Sequence, residues 1–149
     1  MGRRDVRENV FKLVYETGVC GEVNELTVSE ATQNASVEEK KYSDIVFKGI
    51  DKDDKKYFDK VFYGIVDNKE ELEGIIKKYA RAYEFSRLYK VDRAILLVAI
   101  YEILNLDDIP YKVSVNEAVE LAKAYSTEKS ASYINGILAS VIRDMEALK

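Results

Sequence analysis

Apolar residues recur at spacings of three and four along almost the whole chain, and this pattern constrains the fold more than any other feature. No sustained run alternates apolar and polar residues, as a half-buried strand would. Only one proline, Pro110, is present to interrupt helices. The pattern predicts an all-α protein, and the length of 149 residues fits one compact domain spanning residues 1–149.

The segment "VDRAILLVAIYEILNL", residues 91–106, is apolar around most of a helical circumference. A helix of this kind lies in the middle of a bundle, so we expect Ile95, Ala99 and Ile103 to be fully buried. Its longest apolar run, Ala94 to Tyr101, is far shorter than the ~20 residues that cross a bilayer. The segment therefore predicts a core helix, and we expect no membrane association.

Stop signals and apolar content predict the helices before this segment. A first helix runs from about Arg3 to Glu16, because Gly18 follows where a helix stop is expected. Residues 21–36 are rich in polar side chains, which predicts a loop or a weak helix. Helices are predicted over about residues 37–50 and, after the charged segment "DKDDKK", up to residue 66.

Polar residues also predict how three further helices begin. Asn68 is a candidate N-cap, Ser114 and Glu117 have the spacing of a capping box, and Ser130 is a candidate N-cap for the last helix. Within that last helix Gly136 does not interrupt the apolar spacing. We therefore expect Gly136 to allow close approach of a neighbouring helix.

Composition bears on the class of function. The chain carries a formal net charge of -4, has no histidine, and has a single cysteine, Cys20. The commonest general base and metal ligand is therefore missing, and neither an internal disulfide nor a thiolate zinc cluster can form. We expect a protein without catalytic activity, cofactor or metal, in a reducing cytoplasm.

The opening "GRRDVREN" is basic although the chain is acidic. On a helix Arg3, Arg4 and Arg7 gather on one side, at a helix N-terminus where each cation is disfavoured by typically ~0.3–1 kcal/mol. An anionic partner would explain this arrangement. The alternative is ordinary solubilising charge, paired locally with Asp5 and Glu8.

A second candidate site lies in "AYSTEKSASYIN", where Tyr125 and Tyr133 bracket hydroxyl-bearing residues and Lys129 next to a predicted helix N-terminus. Aromatic faces, hydroxyl groups and free backbone amides suit single-stranded RNA. The alternative is that both tyrosines are edges of the hydrophobic core.

Three segments also carry a resemblance: "VDRAILLVAIYEI", then "IPYKV", then "NEAVELAKAYSTEKSASYINGIL", together with the opening "RRDVRENVFKLVY". In this order and spacing they resemble the NusB family of bacterial transcription antitermination factors. The resemblance implies two small helical bundles packed together, without catalytic activity. It also implies binding of the boxA element of nascent RNA together with NusE, a small-subunit ribosomal protein, in a complex that keeps RNA polymerase processive, notably on ribosomal RNA operons.

The resemblance further implies roles for individual residues. Tyr15 and Glu102 fall in the region expected to face NusE. Asp5, Lys129 and Leu97 depart from the family pattern, Lys129 in the direction that strengthens phosphate attraction. The residues expected to contact RNA are Arg3, Arg4, Arg7, Tyr125, Ser126, Thr127, Glu128, Lys129, Ser130 and Tyr133.

Two other functions are compatible with the sequence. One is a NusB-like RNA-binding module of an RNA methyltransferase system, which in that family precedes a catalytic domain. The other is a helical protein–protein adaptor without any RNA role. Binding to boxA RNA would separate the adaptor from an antitermination factor.

Overall fold

The computed structural model describes residues 2–17, 52–80 and 88–147, and within these ranges the chain is helical, without strands. This confirms the all-α prediction. The predicted loop at residues 21–36 and the predicted helix at about 37–50 lie outside the described residues. The helices are α1 (Arg3–Thr17), α2 (Lys52–Asp67), α3 (Lys69–Tyr79), α4 (Lys90–Asn105), α5 (Tyr111–Tyr125) and α6 (Glu128–Ala147).

Helix α4 is the centre of the fold, because it packs against each of the other five helices. Every residue from Asp92 to Ile103 is buried. Ile95, Ala99 and Ile103 are 0%, 3% and 1% exposed, as predicted from the apolar circumference of this segment. None of the described helices is long and apolar enough to span a bilayer.

The remaining helices form two groups around α4. Helices α1 and α2 pack on each other and on α4, whereas α5 and α6 form a helical hairpin that also packs on α4. Helix α3 contacts α4, α6 and α2. The expected arrangement of two small packed bundles is therefore present, with α4 shared between them.

Close helix approach occurs at a different glycine from the one predicted. A Cβ atom built on Gly64 of α2 would overlap the ring of Tyr101 on α4, so a larger residue there would require this ring to move. A Cβ on Gly136 would meet open space, and Gly136 is exposed. The prediction for Gly136 is wrong, because helical spacing shows that a helix continues but not which of its faces meets a neighbour.

Helix α5 begins earlier than predicted. It starts at Tyr111, directly after Pro110, so Ser114 and Glu117 lie inside the helix and do not form a capping box. Ser114 instead donates a hydrogen bond to Glu102 of α4. The proline does end the preceding segment as predicted, but its restricted backbone also lets a new helix begin at once.

Two other N-cap predictions are also corrected. At the start of α6 the Thr127 hydroxyl accepts the backbone N–H of Ser130 at 2.9 Å, so Thr127 is the cap and Ser130 lies in the first turn. Asn68 occupies the N-cap position of α3 but makes no capping hydrogen bond. Its side-chain amide donates to the Gly64 carbonyl at 2.8 Å, at the end of α2.

Candidate functional site

The arginines that open α1 are paired with carboxylates of other helices. Arg3 donates to Asp54 of α2 at 2.8 Å, and Arg4 makes a two-pronged contact with Glu117 of α5 at 3.0–3.2 Å. The side chains of Arg3 and Arg4 are nevertheless 36% and 71% exposed. These distant acids offset the unfavourable position of the cations at the helix N-terminus, and the local alternative with Asp5 or Glu8 as partner is wrong.

Arg7 lies in the interior, at 4% exposure. It donates to both carboxylate oxygens of Glu102, at 2.8 and 2.9 Å. The same carboxylate accepts from the hydroxyls of Tyr57 at 2.8 Å and Ser114 at 3.2 Å. Four hydrogen bonds from α1, α2 and α5 therefore meet at one side chain of α4, and we call this group the Glu102 network.

Protonation states are held firmly in the Glu102 network. Burial by itself lowers the pKa of Arg7, but the hydrogen bonds and charge of Glu102 outweigh it, so the pKa of Arg7 is raised above its ordinary value. Burial, followed by the charge of Glu102, raises the pKa of Tyr57 well above its ordinary value. Arg7 is therefore a cation and Tyr57 a neutral donor across the physiological pH range.

These positions correct two predicted roles. Arg7 was expected to contact RNA and Glu102 to face NusE, but Glu102 is only 1% exposed and its oxygens are filled by Arg7, Tyr57 and Ser114. Neither side chain is on the surface where a direct contact was expected. The sequence could not show this, because the partners are up to 95 residues apart along the chain.

The predicted loop between Tyr125 and Tyr133 is only two residues long, Ser126 and Thr127. Thr127 is exposed, as are Glu128 and Lys129 in the first turn of α6, and Ser126 is partly exposed. Ser130 is 5% exposed, and its hydroxyl donates to Asp92 of α4 at 2.7 Å. Ser130 therefore points inward, towards Asp92, and its expected contact with RNA stays a prediction.

Tyr125 is at the surface beside α1. Its side chain is 39% exposed, its ring is tilted against Phe11 with centroids 5.3 Å apart, and its hydroxyl donates to Glu8. The ammonium group of Lys12 lies 5.4 Å from the centroid of the same ring. Tyr15, 44% exposed, shares a groove with Tyr125, so the structure brings the predicted partner-binding tyrosine next to the predicted RNA-binding loop.

A cavity of about 160 Å³ lies where the first turns of α4 and α6 meet. Thr127, Lys129, Ser130 and Tyr133 of the predicted RNA-binding set meet there. Sequence reasoning missed the α4 side of this cavity, because an acidic residue in a first helical turn usually faces solvent. The lining residues are Leu88, Tyr89, Asp92, Thr127, Lys129, Ser130 and Tyr133.

Comparison with known proteins identifies the family. The NusB family model matches residues 4–143. The chain belongs to the NusB family. It is 41% identical to the transcription antitermination protein NusB of Acetivibrio thermocellus, over 96% of this chain and 90% of that protein. It is also 41% identical to the protein of the same name from Clostridium kluyveri, over 100% of both chains.

Solved structures agree with the NusB assignment. The structure described as "T. maritima NusB, P3121, Form 2" matches with a TM-score of 0.74 and 31% identity, over 96% of this chain and 92% of that one. A chain from "Crystal Structure of a Plectonemic RNA Supercoil" matches with a TM-score of 0.71 and 26% identity, over 96% and 95%. Within the described part of this NusB-family chain, no group of three or more His, Cys, Asp or Glu side chains is placed to hold a metal ion.

Proposed function

We propose that this chain is a non-catalytic transcription antitermination factor of the cytoplasm that binds boxA RNA together with NusE. In this role it keeps RNA polymerase processive, notably on ribosomal RNA operons. The observation that carries the proposal is the meeting of aromatic, hydroxyl and lysine side chains at the start of α6, in a chain whose relatives are named as antitermination proteins. No cofactor is required for this role.

The start of α6 has the chemistry that single-stranded RNA needs. Tyr125 and Tyr133 offer ring faces on which bases can stack. Lys129 supplies a positive charge, and the first backbone amides of α6 favour a phosphate. Glu128, Ser126 and Thr127 complete the same exposed turn.

The basic opening extends this RNA surface along α1. Arg4 contacts Glu117 in the first half of α5, and Glu8 contacts Tyr125 at its end, so α1 follows α5 towards the start of α6. Arg4 is exposed and can exchange a carboxylate for a phosphate. Because few cations are available, we expect modest affinity and a shallow dependence on salt.

The groove beside Tyr15 supports an adjacent site for NusE. Tyr15 and Tyr125 are both exposed aromatic residues, and aromatic side chains are enriched at protein interfaces. A partner seated there would lie next to the RNA-binding turn. Its binding would therefore strengthen RNA binding, and RNA would strengthen NusE binding by the same factor.

The proposal is tested by titrating a labelled boxA-like RNA with the protein, alone and with NusE, beside an RNA of shuffled sequence. We expect weak binding of boxA alone, tighter binding with NusE, and weaker binding of the shuffled RNA. Arg4→Ala should lower the affinity for both RNAs about equally. It should also reduce the slope of log affinity against log salt concentration by about one. Equal affinity for both RNAs, unchanged by NusE, would support the adaptor alternative instead.

A further inference from the structure

We propose that the cavity between α4 and α6 is a subsite for one nucleobase, and that Asp92 selects bases carrying an exocyclic amino group. This inference rests on the proposed RNA binding and adds a base preference to it. The cavity is lined on its α4 side by Tyr89 and Asp92 and on its α6 side by Lys129, Ser130 and Tyr133.

Asp92 is a buried carboxylate with unused hydrogen-bonding capacity. It is 3% exposed, and its Oδ2 accepts the Ser130 hydroxyl at 2.7 Å. Its Oδ1 is also buried and has no hydrogen-bond partner within the described residues. A buried acceptor without a donor is unfavourable, so a ligand that brings an N–H group to Asp92 gains more than it would at a satisfied site.

The cavity has the size and walls for a flat ring. Its volume is about 160 Å³, and a protein cavity of about 150 Å³ is known to accept benzene. Tyr133 and Tyr89 contribute aromatic side chains to the lining, and stacking on such rings is the common way in which proteins hold unpaired bases. A pyrimidine therefore fits without a large rearrangement.

The two charged side chains that line the cavity suit different parts of an RNA nucleotide, the phosphate and the base. Lys129 also lines the cavity and lies in the exposed first turn of α6, where it can meet the phosphate of the bound nucleotide. The aspartate carboxylate is an acceptor group, and its Oδ1 is the oxygen that the Ser130 hydroxyl leaves unused. An RNA nucleotide satisfies both residues, since it has phosphate oxygens and base N–H groups.

An acceptor-only side chain discriminates among bases. Cytosine offers its N4 amino group to an aspartate, which is a known pairing in base recognition. Uracil has a carbonyl oxygen at that position, which repels a carboxylate, and its ring N3–H donor lies between two such carbonyl oxygens. A site that forms a hydrogen bond with its ligand strongly rejects an analogue without the hydrogen-bonding group. A purely apolar pocket discriminates between ligands less strongly.

The test uses labelled oligomers of cytidine and of uridine, each about 12 nucleotides long, at one salt concentration. We expect the protein to bind the cytidine oligomer about fivefold or more tightly than the uridine oligomer. Asp92→Asn places an amide in the cavity and should bring this ratio close to one. The matched control Lys129→Ala should weaken both oligomers by a similar factor and leave the ratio unchanged.

A change in the ligand tests the same bond without any variant. An oligomer of N4,N4-dimethylcytidine keeps the ring but has no amino hydrogen to donate, so its affinity should fall to that of the uridine oligomer. A ratio near one in the parent protein, a ratio that persists in Asp92→Asn, or full binding of the dimethylated oligomer would overturn the subsite. Failure to bind any RNA, including boxA RNA with NusE, would overturn the proposed function itself.

Discussion

Asp92 and Glu102 are two buried carboxylates of the same helix, and they differ sharply in what surrounds them. They are 3% and 1% exposed and lie ten positions apart on α4, or about 15 Å along its axis. Glu102 accepts four hydrogen bonds from three other helices. Asp92 accepts one from the described residues, donated by Ser130, and lines a cavity. The number of donors, rather than burial, separates a carboxylate that holds the fold together from one that can receive a ligand.

The Glu102 network explains why an acidic protein has an arginine-rich start. Arg7 neutralises a carboxylate that α4 carries into the core, and Arg3 and Arg4 secure α1 itself to α2 and α5. The cations therefore fix the direction of α1, and Arg4 also remains exposed. Removing members of this network should affect folding first and RNA binding only as a consequence.

The largest expected effect is that of Glu102→Gln. This change leaves the buried guanidinium of Arg7 without its nearest counter-charge, since Glu117 is 4.0 Å away, so the free energy of unfolding should fall by about 3–5 kcal/mol in urea titrations. The matched control is Glu120→Gln, whose partner Lys123 is exposed as Glu120 itself is, and it should cost less than about 1 kcal/mol. Equal losses for the two variants would contradict the distinction between the network and a surface ion pair.

A smaller effect is expected for Tyr57→Phe, which removes one of the four hydrogen bonds to Glu102 and keeps the ring. Hydrogen bonds to charged groups contribute about 1.5–3 kcal/mol, and thermal or urea unfolding should show a loss in that range. Tyr89→Phe is the control, because Tyr89 is 62% exposed and should tolerate the change. A Tyr57→Phe variant as stable as the parent protein would show that this hydroxyl adds nothing to the network.

Features that depend on residues close together in the sequence could be predicted, and features that depend on distant residues could not. The burial of α4 and the start of α1 were predictable, because apolar spacing within one segment determines them. The partners of Arg3, Arg4 and Arg7 were not, because they lie on α2, α4 and α5. A tertiary ion pair leaves no local pattern in the sequence.

The candidate site shows the same limit. The turn from Tyr125 to Tyr133 was recognisable from its residue types, but its true cap, Thr127, and the inward direction of Ser130 depend on Asp92 of a different helix. Leu97, which departs from the family pattern, shows the same limit. Its apolar character was visible in the sequence, but only the structure shows that it is 0% exposed in the centre of α4.

A third, smaller effect is expected at the turn beside the cavity. Thr127→Ala removes the cap of α6 and should lower the free energy of unfolding by about 1 kcal/mol. Ser126→Ala is the adjacent control and should be close to neutral, since Ser126 gives no side-chain cap to either helix among the described contacts. A larger loss of unfolding free energy in Ser126→Ala than in Thr127→Ala would show that Thr127 is not the N-cap of α6.

The smallest expected effect concerns a third carboxylate, Glu73 of α3, whose Oε1 is buried and, like Oδ1 of Asp92, has no hydrogen-bond partner within the described residues. Burial raises its pKa, so the folded protein holds this proton more tightly than the unfolded chain does. Its contribution to stability is therefore present below the ordinary pKa and is lost as the pH rises through the raised value.

The measurement for Glu73 is the free energy of unfolding between pH 4 and pH 7 for the parent protein and for Glu73→Gln. The difference between the two should favour Glu73→Gln increasingly as the pH rises, because the variant carries no charge to bury. A constant difference across this range would contradict the raised pKa. Glu71→Gln, an exposed neighbour on α3, serves as the control.

The most direct test of the central claim compares Asp92→Asn with Glu102→Gln by their cytidine-to-uridine affinity ratios, at a temperature at which both variants are folded. Glu102→Gln should keep the parental ratio in spite of its lower stability. Asp92→Asn should lose the ratio while its free energy of unfolding stays within about 1 kcal/mol of the parent protein. The opposite pattern, or equal ratios in the two variants, would contradict the division between a structural and a ligand-binding carboxylate on α4.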